Sequence, residues 1–68
     1  MNMIKINLDK LLVERQMKSK DLAEMIGITP ANLSILKNGK GRGIRFSTLE
    51  NLCKALNCQP GDIMTFEE

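Results

Sequence analysis

The chain has 68 residues, a formal net charge of +2, 43% apolar and 26% charged residues, and only 3% aromatics. That length gives one small domain over residues 1–68, which buries only about 60% of its unfolded surface and leaves no room for a deep cofactor pocket. With no histidine and two cysteines, it lacks the commonest general base and metal ligand, which argues against most enzymes, a zinc site and any cofactor. Phe46 and Phe66 are the only aromatic residues, so the core is expected to be aliphatic, of Leu, Ile, Met and Ala. No apolar run approaches the ~20 residues of a membrane span. The N-terminus carries no signal-peptide pattern, and a cytoplasmic protein is expected.

In chain order, Met3–Ile6 alternates apolar and polar residues and reads as a short strand. Asn7 offers a helix N-cap, and Leu8, Leu11 and Leu12 predict a first helix from Leu8 to about Gln16. Ser19 is a second N-cap candidate, ahead of a helix with Leu22, Ala23, Met25 and Ile26 that stops at Gly27. Thr29 then caps a third helix, with Pro30 at its first position, where a missing N–H costs nothing. Leu33 and Leu36 mark its buried side, and Asn38-Gly39 ends it. Residues 40–45 form a basic loop. Ser47 and Glu50 have the spacing of a capping box, opening a fourth helix that turns Leu49, Leu52, Cys53 and Leu56 inward. Gln59-Pro60-Gly61-Asp62 signals a turn or a single helical turn, and Ile63–Phe66 reads as a returning strand. Cys53 and Cys58 read as packing residues, with a redox role as the secondary reading.

Charge is unevenly placed. Between Glu24 and Glu50 there is no acid, while Lys37, Lys40, Arg42 and Arg45 all fall there. This is either a solvated loop or a surface that faces phosphates.

The stretch from about 19 to 38 carries the functional signal. One helix ends at Gly27, a turn of about three residues follows, and a second helix begins near Pro30. Ala23 is small where the helices cross, Gly27 makes the turn, and Ile28 and Leu33 fill the angle between them. This is the helix-turn-helix arrangement, which projects the start of its second helix toward a major groove.

The residues Asp21-Leu22-Ala23-Glu24, Gly27-Ile28-Thr29, Leu33-Ser34 and Lys37-Asn38-Gly39-Lys40 keep a specific order and spacing. So do Thr48-Leu49, Leu52–Leu56 and Pro60–Met64. On these residues the chain resembles the lambda-repressor-like, Cro/CI-type (XRE) transcriptional regulators over about residues 6 to 65. The resemblance implies an all-α, compact five-helix fold, flanked in short members by paired N- and C-terminal strands. It also implies double-stranded DNA as partner, read through the third helix, and a homodimer on a palindromic operator.

Carried over, the base-reading candidates are Thr29, Ala31, Asn32, Ser34 and Ile35. The phosphate-contact candidates are Ser19, Lys20, Lys37, Lys40, Arg42 and Arg45. Many relatives have Gln at the position of Ser19 and polar residues at Pro30 and Ala31. Asn32 is therefore the main adenine reader left, and Ala31 could meet a thymine methyl. DNA shape would supply more of the specificity. Ile4, Ile6, Ile63, Met64 and Phe66 are the apolar candidates for the dimer contact. Repression is favoured over activation, since no effector or activation domain is evident. The competing function is an antitoxin or adaptor that uses the same fold mainly to hold another protein.

Overall fold

The computed structural model describes residues 3–39 and 43–68. Its elements in chain order are β1 (Met3–Ile6), α1 (Leu8–Glu14), α2 (Ser19–Ile26), α3 (Pro30–Lys37), α4 (Phe46–Leu56), α5 (Pro60–Ile63) and β2 (Met64–Glu67). The five helices surround an aliphatic core of eight leucines with Ala23 and Ile63. Each leucine taken out of water contributes roughly 1.5–3 kcal/mol, so these side chains dominate the stability of so short a chain. Among the described residues no methionine joins the fully buried set: Met17 and Met64 pack at its edge, and Met3 and Met25 are exposed.

Among the described residues, three helices stop by the same device. Gln16, Gly27 and Asn57 take a positive φ just past α1, α2 and α4. The residue after each then donates its N–H back to a carbonyl five residues earlier: Met17 to Leu12, Ile28 to Ala23, and Cys58 to Cys53. This is the Schellman closure, which satisfies orphan carbonyls and brings the first and last side chains of the motif together. It explains why α1 ends at Glu14 and does not run on to Gln16. Arg15 is freed from the helix and its Nε donates to the Leu56 carbonyl at 2.9 Å, holding the end of α4 against α1.

The helix starts divide between expectation and correction. Thr29 caps α3 as its sequence indicates, with Oγ1 accepting the Asn32 N–H at 3.1 Å. Asn7 precedes α1 but makes no side-chain cap; its amide donates instead to Thr65 Oγ1 of β2 at 3.3 Å. Ser19 lies inside α2, where Lys18 is the N-cap. The Ser47–Glu50 box is not formed, because α4 already starts at Phe46 with Arg45 as its cap. A capping box does exist at α5, between Gln59 and Asp62.

β1 and β2 pair antiparallel, with Ile4 opposite Phe66 and Ile6 opposite Met64. Paired residues share a face. One face of this ribbon is therefore apolar, made of Ile4, Ile6, Met64 and Phe66. The other carries Lys5 and Glu67, which form an ion pair at 3.5 Å. Ile63 is not part of the strand. It ends α5, fully buried, and its carbonyl accepts the Asn7 N–H at 2.7 Å. It belongs to the protomer's own core and, contrary to the expectation from sequence, offers no surface to a dimer contact.

Candidate nucleic-acid interface

α2 and α3 pack against each other across the Gly27 turn. Leu22 and Ala23 of α2 and Leu33 of α3 are buried in the same core cluster. Burying Leu33 fixes the rotation of α3, and the opposite side turns to solvent. Ala31, Asn32, Ser34 and Ile35 lie on that exposed side, and Thr29, at the cap, is exposed as well. The first turn of α3 contains no acid. The Asn32 backbone N–H is taken up by Thr29, so its side chain amide stands on a fixed first turn. The Ser34 hydroxyl accepts weakly from the Asn38 amide at 3.5 Å. Ile35 adds an exposed apolar surface beside Ala31 on the same helix.

A cleft of about 250 Å³ runs along this helix to the start of α4, lined by Ile28, Asn32, Ile35, Leu36, Gly43, Ile44, Arg45 and Thr48. It brings Arg45, from a different element, to the flank of Asn32. Arg45 is exposed and makes no ion pair among the described residues. Phe46, next to it, is 82% exposed at the first position of α4. The sequence held a signal for this. Were Ser47 the cap, Phe46 would stand where an apolar partner is wanted four residues into the helix, and that position is the polar Asn51.

The phosphate candidates separate into different environments. Lys37 Nζ, at the end of α3, donates to Ser19 Oγ at 2.8 Å and to Asp9 of α1 at 3.1 Å. It is half-buried and bridges three helices, while Asp9 is well exposed. A pair of this kind contributes about 0–1 kcal/mol. Ser19 and Lys37 thus share one bond at the start of α2, and Lys20 is exposed beside them. Sequence reading missed Asp9 as the partner, since nothing local links it to Lys37. Lys40 and Arg42 lie outside the described residues. Among the described residues no group of three or more His, Cys, Asp or Glu is placed to hold a metal.

A two-helix crossing with an acid-free exposed helix and a flanking arginine is the form of a groove-reading module. The Cro/C1-type helix-turn-helix DNA-binding domain family matches residues 7–68. The chain belongs to this family. It is 61% identical over 61 residues to the uncharacterized HTH-type transcriptional regulator YozG of Bacillus subtilis (strain 168), a match covering 90% of this chain and 73% of that protein. Its fold is similar to the crystal structure of the transcriptional regulator VanUg, with a TM-score of 0.77 and 33% identity over 97% of this chain and 87% of the other. The family and both relatives agree with the geometry of the site, and the chain is a DNA-binding transcriptional regulator. Nothing in the fold or its relatives favours the antitoxin or adaptor reading.

Proposed function

We propose that the chain represses transcription as a homodimer on a palindromic operator, placing α3 of each subunit in the major groove of double-stranded DNA. The observation that carries this reading is the exposed side of α3, where Thr29, Ala31, Asn32, Ser34 and Ile35 face solvent without a single carboxylate. In this reading Asn32 pairs with an adenine edge, and Ala31 and Ile35 press on thymine methyl groups. Ser19, Lys20, Lys37, Lys40, Arg42 and Arg45 contact phosphates on either side and fix the register. Lys37 does so by exchanging Asp9 for a phosphate oxygen. With few hydrogen-bonding side chains on α3, groove width and deformability supply the remaining selectivity.

A dimer follows from the arithmetic of reading. One short helix meets too few base pairs for an operator, whereas two related by a dyad read half-sites about 34 Å apart. Repression needs only that the occupied operator be closed to other proteins. The protein acts in the cytoplasm, in contact with DNA, and no helix among the described residues is long and apolar enough to cross a membrane.

Selection of bound sites from a random DNA pool tests the proposal. A palindrome with half-sites about one helical turn apart is the expected result. Recovery of no enriched motif overturns it.

A further inference from the structure

Away from α3, the closure of α4 brings two thiols together. Cys58 donates its backbone N–H to the Cys53 carbonyl at 3.0 Å, across the left-handed Asn57 with φ 50°. A carbonyl oxygen stands about 2.4 Å from its own Cα, and an amide nitrogen about 1.5 Å. Added to that hydrogen bond, these lengths cap the Cα separation at about 7 Å, the upper edge of the range a disulfide spans. The Schellman motif also turns its first and last side chains toward each other. At the ends of α1 and α2 the equivalent pairs are Leu12 with Met17 and Ala23 with Ile28, ordinary apolar contacts. At α4 the same two positions hold cysteines.

Both are free thiols, half-buried against the core. Burial pushes the Cys58 thiol up. Negative charge on an ionised Cys53 and on the Asp62 carboxylate, with a side-chain hydrogen bond to Cys53, pushes the same way, against the opposing pull of Arg15. Arg15 also pins the Leu56 carbonyl between the two cysteines, so the turn is held in place.

We infer that Cys53 and Cys58 form a dithiol–disulfide site, closed by a low-molecular-weight disulfide such as oxidised glutathione. The thiolate of one cysteine attacks a sulfur of the small disulfide. A protein–glutathione S–S bond forms, the glutathione S–S bond breaks, and one glutathione thiolate leaves and is protonated. The second cysteine, as thiolate, then attacks the protein sulfur of that mixed disulfide and expels the other glutathione. Two protein thiols are oxidised to one Cys53–Cys58 bond, and one glutathione disulfide is reduced to two thiols. The folded turn supplies the second thiol at short range, so the mixed disulfide should not accumulate.

The test uses the full chain, reduced and then equilibrated in a glutathione redox buffer, both folded and in concentrated urea. Thiol titration and intact mass follow the product. The folded chain should lose both thiols and the mass of two hydrogen atoms, retain no glutathione and remain a single chain on a non-reducing gel. Its equilibrium should lie about tenfold or more further toward the disulfide than that of the urea-unfolded chain, because folding has already closed the loop. Cys53→Ser and Cys58→Ser should each stop at the glutathione adduct. The inference is overturned if the folded chain keeps both thiols, holds glutathione in place of the internal bond, cross-links between chains, or closes no more readily than the unfolded one.

Discussion

Asn32 carries the one side-chain amide within α3, and its position is set by its own backbone bond to Thr29. An amide that pairs bidentately with adenine supplies about 1–3 kcal/mol of discrimination against the wrong base. In a dimer the substitution removes this contact from both half-sites, about 2–6 kcal/mol together, so Asn32→Ala should cut operator affinity by at least about thirtyfold while changing random-sequence binding little. Parallel titrations on operator and scrambled duplex check this, and an equal loss on both would remove Asn32 as a base reader. Ala23 acts on the same helix from the inside. It is buried to 1% exposure where α2 meets the core. Ala23→Leu forces extra volume into that crossing at a cost of roughly 1–3 kcal/mol. The melting temperature should fall by at least about 4 °C, since a domain this small loses roughly 4–8 °C per kcal/mol. An unchanged melting curve would mean that the crossing has room to spare.

The start of α4 flanks the exposed side of α3. Arg45 reaches the flank of Asn32 from outside the helix-turn-helix, and among the described residues no acid pairs with it. If it holds a phosphate, Arg45→Ala weakens operator and random DNA alike. It also flattens the slope of log affinity against log salt by up to about 2 for a dimer, at roughly 0.9 per phosphate contact. Titrations at several salt concentrations measure that slope, and an unaltered value would leave Arg45 a solvated side chain. The elements differ in how far their sequence announced them. The start of α3 was legible because Thr29 and Pro30 act on their immediate neighbours. Ser47 and Glu50 had the spacing of a capping box, yet the cap of α4 is Arg45, two residues earlier, so a capping pattern marks a helix start without fixing its residue. Distant partners were beyond reach. Nothing within a few residues of Lys37 indicates that Asp9 and Ser19 hold its ammonium, or that Arg15 closes α4 from α1. Ile63 read as the first residue of the returning strand, but it ends α5 and is turned into the core.

At the scale of the whole molecule, one side of the β1–β2 ribbon leaves an apolar surface open to solvent. Ile4 and Phe66 face each other across the strands at 57% and 58% exposure, with Ile6 and Met64 beside them half-buried. Ile44 and Leu36 extend this surface around a cleft of about 280 Å³. The opposite face of the ribbon carries the Lys5–Glu67 ion pair and Thr65 beside Met3, and is more polar. A second copy related by a dyad would cover the apolar side with the same residues, which is how a self-complementary interface forms. The double variant Ile4→Lys, Phe66→Lys puts two cations at the centre of that contact in each subunit. Since both side chains are exposed in the protomer, its fold should persist, with an unchanged far-ultraviolet circular dichroism spectrum. Sedimentation should then find monomers under conditions where the parent chain is a dimer. Operator affinity should drop by well over tenfold, because each half-site must be bound without the other. The salt slope should approach half its original value as the number of phosphate contacts per binding event is halved. Two outcomes would place the dyad elsewhere on the molecule: a variant that still sediments as a dimer, or one that binds the full palindrome with undiminished affinity and slope.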